Sequence, residues 1–228
     1  MSWLSRILNR RKSANKSSDS SSRIYTPEYQ ALLNINSIIE DLLNADNYIS
    51  KSEYKNKLLE SSNTIEFFDM LIKTNQLKDY CNKNDISTSF CESILSKYKN
   101  IESLVDKHND DFISRTLIHE KQYLDNILRD VDPKINLDDD QRRVILTDED
   151  YCLVIAGAGA GKTTTVAAKV KYLVEKKNID PKQILVVSFT NKAVQELRDK
   201  LNIDLKIPCP ISTFHAVGNA IIRKETPE

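Results

Sequence analysis

Between residues 24 and 131 apolar positions recur three or four apart, with little Gly or Pro to interrupt them, and this is the period of a helix. Leu32, Leu33, Ile35, Ile38, Ile39, Leu42 and Leu43 form one broad face, which predicts a first helix after Pro27. A second helical stretch is predicted around Tyr54 to Leu59, ending at Ser61, Ser62 and Asn63, and a third contains Ile65, Phe68, Leu71 and Ile72. Phe90, Ile94, Tyr98, Ile101, Val105, His108 and Phe112 make the longest stripe, continued less cleanly by Leu117, Lys121, Leu124 and Leu128. It predicts a long helix or an antiparallel helical hairpin with coiled-coil-like packing, on which His108 is a packing residue and not a ligand.

Asp132-Pro133 breaks this pattern, because proline disfavours a helical conformation in the residue before it. In INLDDDQRRVIL three acids precede Gln141 and a short apolar face, as suits a helix amino end. The run Tyr151 to Val166, YCLVIAGAGAGKTTTV, then passes from apolar residues through a small-residue loop into a helix predicted from Lys162 to Val174. Asp180-Pro181 punctuates the return, and Ile184 to Val187 reads as a short buried strand. A helix is expected over Ala193 to Leu201, and Ile207 to Phe214 is extended or loop, with Pro208 and Pro210 arguing against a central strand throughout. Strand, helix and strand in this order imply a parallel, right-handed crossover. The predicted class is therefore α/β, a partial parallel sheet of the P-loop type preceded by an all-helical region. Three regions follow: a basic start and linker (1–23), a helical extension (24–131) and an incomplete P-loop domain (132–228).

Charge adds little over the whole chain, since 33 basic residues balance 33 acidic ones among 228. Locally, Arg6, Arg10, Arg11, Lys12, Lys16 and Arg23 face only Asp19 before and around a serine-rich run, so any nucleic-acid surface must be local. Cys81, Cys91, Cys152 and Cys209 have no CxxC spacing, which argues against a zinc framework and for reduced thiols in a cytoplasmic protein. No apolar stretch is long enough for a bilayer, so stable membrane insertion is not expected; Trp3, Leu4, Ile7 and Leu8 offer at most a short amphipathic face.

The chemistry concentrates in the small-residue loop. Its spacing matches a relaxed Walker A pattern with Ala156 where glycine is commoner. Gly157, Ala158, Gly159, Ala160 and Gly161 let successive amides turn inward around a phosphate, Lys162 reaches the outer oxygens, and the Thr163 hydroxyl completes a magnesium shell, with Thr164 next in the helix. ATP and Mg2+ are the expected cofactors, and Lys162 and Thr163 the candidate catalytic residues. A side-chain amide such as that of Gln141 matches an adenine edge, although spacing alone favours a surface role. Thr190, Asn191 and Lys192 end the second strand, where they suit either a sugar-phosphate backbone or a helix cap. Ser212, Thr213, Phe214 and His215 form another candidate group, in which Phe214 either stacks on a base or belongs to the core.

Taken together, NLDDDQRRVI, VIAGAGAGKTTT, VVSFTNKAVQEL and STFHAVG resemble the opening motifs of a superfamily 1 helicase of the UvrD/Rep type, closest to DNA helicase IV, over approximately residues 135 to 223. The resemblance implies a RecA-like sheet, adenine recognition by Gln141, and phosphate and magnesium held by Gly159 through Thr163. It also implies that Thr190-Asn191-Lys192 and Ser212-Thr213-Phe214-His215 face single-stranded DNA. A complete relative couples ATP hydrolysis to movement along one strand, usually 3′ to 5′.

Thr164 and Thr165 depart from the arginine that commonly follows the family's loop, and no DExx box or later arginine motif follows His215. The expectation is an amino-terminal fragment that binds ATP and part of single-stranded DNA, without robust helicase activity of its own. The alternative is a truncated regulatory or interaction module that retains nucleotide binding and uses its helical region to hold a protein partner.

Overall fold

The computed structural model describes residues 25–157 and 159–225. The basic start and serine-rich linker, and Ala158 of the small-residue loop, lie outside the described residues. In chain order the helices are α1 (Pro27–Asn44), α2 (Lys51–Lys57), α3 (Ser62–Lys73), α4 (Leu77–Lys83), α5 (Thr88–Lys99), α6 (Ile101–His119), α7 (Lys121–Asn126) and α8 (Asp139–Leu146). Then come α9 (Lys162–Glu175), β1 (Val186–Ser188), α10 (Asn191–Arg198), a π-helix (Asp199–Asp204), β2 (Ile211–Thr213) and α11 (Phe214–Glu225). A mostly helical region thus precedes a small parallel sheet, an arrangement consistent with part of a P-loop, RecA-like domain. No described helix is long and apolar enough to cross a membrane.

The chain divides into two compact units. One comprises the residues up to Asn36 with Ser61–Leu95. Its interior is built from Leu32, Ile65, Phe68, Leu77 and Ile94, and the rings of Phe67, Phe68 and Tyr80 meet edge to face at centroid distances of 5.3 to 5.7 Å. Cys81 and Cys91 are both buried with their sulfurs 3.9 Å apart. Burial and the neighbouring Cys81 push the Cys91 thiol above its ordinary range, which disfavours the reactive thiolate.

The other unit comprises Ser37–Glu60 with Ser96 onward. Leu42, Ile49, Tyr54 and Val105 form one cluster in it. The buried Asn109 accepts from the Ile49 N–H at 2.9 Å and donates to the Ile49 carbonyl at 2.8 Å. Its amide satisfies a chain segment that has no helix or sheet partner of its own. Asn109→Ala strands both groups, and unfolding in urea should show a loss of about 2 kcal/mol, the scale of two buried polar groups left partly unpaired.

Two further clusters explain why α9 holds its place. Ala168 and Tyr172 pack with Leu124, Ile127, Leu128, Ile145 and Leu146. Ala167 and Val170 pack with Val186, Val194, Leu201 and Ile211. α9 is therefore buried on two faces, and its adjacent alanines allow a close approach on each.

The pattern of the sequence and the observed elements differ at three places. The apolar run ahead of the loop predicts a strand, yet residues 152–157 have no strand pairing, and Leu153 and Ile155 are 86% and 91% exposed. An apolar run is stable as a buried strand only between hydrogen-bonding neighbours, and the sheet among the described residues contains β1 and β2 alone. The second strand begins two residues later than expected and ends one later, at Val186–Ser188. The long stripe is divided where Asn100 and Glu120 leave helical backbone angles, with ψ of 15° and 11°; Asn100 also turns its amide onto the Ser96 carbonyl at 2.9 Å.

Candidate functional site

The small-residue loop enters α9 through backbone that L side chains rarely adopt. Gly159 has φ of +76° and Gly161, at the N-cap, has φ of +72°. A Cβ on Gly161 would stand 2.7 Å from the Gln141 Nε2, so a side chain there would push the Gln141 amide aside as well as strain the backbone. No side chain caps α9, and the N–H groups of its first turn, with the positive end of its dipole, face the loop. Lys162 folds back over the loop, donating to the Gly157 carbonyl at 2.6 Å and to the Ala156 carbonyl at 3.3 Å. Thr163 and Thr164 are half-buried beside it, and Thr165 closes the first turn onto the Gly161 carbonyl. These features fit a polyphosphate: small residues, an uncapped helix amino end and one ammonium meet at one loop.

Gln141 sits on this loop. Its backbone N–H donates to the Asp138 carboxylate at 2.8 Å while its side-chain oxygen accepts from the Asp138 N–H at 3.1 Å, a capping box that starts α8. Its Nε2 donates to the Ala160 carbonyl at 3.2 Å. The pattern D-x-x-Q over Asp138 to Gln141 was the available signal for this cap. At the other end of α8, Lys169 of α9 donates to the carbonyls of Ile145 at 2.8 Å and Thr147 at 2.5 Å, and burial pulls the pKa of this lysine down. The chain after α8 is tied down by Glu149 and Asp150, which accept from the Lys51 and Ser52 N–H groups at the start of α2. The Ser52 hydroxyl also donates to Asp150 at 2.8 Å, and this bond, with that from the Ser52 N–H, holds the Asp150 carboxyl below its usual range. Among the described residues no three His, Cys, Asp or Glu side chains gather to hold a metal ion.

The second candidate region forms at the carboxyl edge of the sheet. β1 and β2 are parallel, with Val186 opposite Ile211, Val187 opposite Ser212 and Ser188 opposite Thr213. A threonine caps the helix after each strand, Thr190 two residues past the end of β1 and Thr213 as the last residue of β2. The Thr190 hydroxyl accepts from the Ala193 N–H and the Thr213 hydroxyl from the Ala216 N–H, both at 3.2 Å. In-register parallel pairing thereby sets the amino ends of α10 and α11 at one edge. Asn191 and Lys192 are exposed there, with His215, while Ser212 is half-buried within the ladder. Phe214 is 73% exposed and so does not belong to the core. Phe189, which the residue pattern left unassigned, is 79% exposed, and its ring lies 6.1 Å from that of His215. An aromatic placed just past a strand's carboxyl end was its only signal in the sequence.

A family described as the UvrD/REP helicase N-terminal domain matches residues 137–228. The segment from Leu137 onward is homologous to the UvrD/REP helicases. A probable DNA helicase II homolog of Mycoplasma capricolum is 43% identical over 91 residues, which cover 38% of this chain and 12% of that protein. The ATP-dependent DNA helicase Rep of Buchnera aphidicola from Acyrthosiphon pisum is 40% identical over 95 residues, covering 40% of this chain and 15% of the relative. For the PcrA helicase of Leuconostoc citreum the identity is 37% over 89 residues, covering 37% and 12%. The matched segment thus spans about an eighth of the length of these relatives.

Proposed function

We propose that residues 137–225 form the ATP-binding and part of the single-stranded-DNA-binding surface of a helicase motor of the UvrD/Rep type. The observation that carries the reading is the loop itself: two left-handed glycines deliver the chain to an uncapped helix amino end, with Lys162 folded over it. In this role Lys162 exchanges the Gly157 and Ala156 carbonyls for phosphate oxygens, and Thr163 supplies a hydroxyl to magnesium. Gln141 supplies the amide nearest the loop for the base. Thr190, Asn191, Lys192, Ser212 and Thr213 bring hydroxyls, an amide, an ammonium and two helix amino ends to a phosphodiester backbone, contacts that position a strand without reading its sequence. Phe214, His215 and Phe189 supply ring faces for unstacked bases. As part of a complete motor this surface would serve ATP-driven 3′ to 5′ movement. A helical region ahead of the motor segment also fits the finer resemblance to DNA helicase IV.

The direct test is the anisotropy of a fluorescent ATP analogue titrated with the purified 228-residue chain, with magnesium or with EDTA, followed by fluorescein-labelled oligo(dT). Magnesium-dependent nucleotide binding and salt-dependent oligo(dT) binding are expected. Nucleotide binding that is absent, or indifferent to magnesium, contradicts the reading.

A further inference from the structure

A second ammonium reaches α9 from a distant part of the chain. Lys200 donates to the Thr164 hydroxyl at 3.2 Å, bridging residues 36 positions apart. Its carrier is the π-helix that continues α10, an uncommon geometry whose extra residue per turn rotates every later side chain about the axis. The neighbouring Leu201 is fully buried against the cluster that holds Ala167 and Val170, so this turn is anchored beside α9. Lys200 itself is half-buried, and among the described residues no carboxylate pairs with it. Even Asp199 next to it is occupied, accepting from the Gln195 amide at 2.7 Å.

Partly burying a cation against a neutral hydroxyl costs solvation that no counter-ion returns. The position of the charge gives the reason for keeping it there. Thr164 is the third residue of α9, so its N–H is among those that the helix leaves open, while the first intrahelical bond falls to Thr165. We propose that Lys200 is a second phosphate-contacting cation of the nucleotide site, delivered to Thr164 by the π-helix. This inference rests on the nucleotide reading and adds a residue to it. Lys162 bonds the loop at Ala156 and Gly157, and Lys200 bonds the first turn of α9 at Thr164.

Dissociation constants for ATP and ADP, measured at one ionic strength on the 228-residue chain and on K200M, K200R and K162A, test the assignment. K200M should weaken ATP and ADP alike by about five- to tenfold, the scale of one charge-assisted contact at a partly exposed site, with K200R within about twofold of the parent. Unchanged affinity in K200M beside a weakened K162A overturns the role of Lys200 and leaves the nucleotide reading standing. Unchanged affinity in both overturns the reading itself. Should K200M not fold, the parent chain answers through the rate of lysine acetylation, read by mass spectrometry with exposed Lys182 as reference. ATP should slow Lys200 by about fivefold, the occupancy effect of a direct contact, and equal rates with and without ATP overturn the proposal.

Discussion

Lys162→Ala should lower the affinity for magnesium-ATP by about 30- to 100-fold, roughly 2–3 kcal/mol, the cost of one charge-assisted contact to a polyphosphate. The same substitution should leave the fold intact. The Lys162 side chain is exposed, and its bonds go to loop carbonyls that water can satisfy in its absence. α9 is held instead by Ala167, Ala168, Val170 and Tyr172 on its two buried faces. Far-UV circular dichroism and the urea midpoint should therefore match the parent while calorimetric titration shows the loss. A variant that binds magnesium-ATP as the parent does removes the site from this loop.

The second large effect is expected at the sheet edge. Phe189 and Phe214 expose their rings beside the amino ends of α10 and α11, a combination of ring face and positive dipole that a folded core does not require. With a stacked base worth about 1–3 kcal/mol, the pair Phe189→Ala and Phe214→Ala should weaken oligo(dT) binding by about 30-fold or more at fixed salt. Both side chains are exposed, so the urea midpoint should hardly move. Replacing Lys192 instead should flatten the salt dependence, because a phosphate contact acts by releasing counterions. Oligo(dT) affinity that survives the loss of both rings would show that the strand does not run over this edge.

The parts of this site that rest on local chemistry were legible in the sequence. Gly161-Lys162-Thr163 marks the start of a helix and the helix begins there, because a left-handed glycine followed by an open first turn is a property of those residues alone. Thr190 offers a cap for the same reason, whereas the cap at Thr213 is seen only in the structure. What depended on neighbours was not legible. Leu153, Val154 and Ile155 have the composition of a buried strand, but a strand is a relation between segments, and none pairs with them among the described residues. The 3–4 spacing from Phe90 to Leu128 carried no record of the bends at Asn100 and Glu120, since a stripe of apolar residues can follow a kinked helix. Lys200 lies 36 residues from Thr164, and only the fold brings them together.

The position of Gln141 sets a trade. Its carbonyl holds the Asp138 N–H and its amide holds Ala160, so both ends of the side chain are engaged within the protein. Any group that Gln141 turns to recognise must therefore compete with the start of α8 and with the loop. On the nucleotide reading proposed above, recognition there would be an exchange of partners at nearly constant bond number, favouring discrimination between ligands over raw affinity. A nucleotide whose base presented the wrong edge would forfeit the replacement bonds, and α8 would keep its cap.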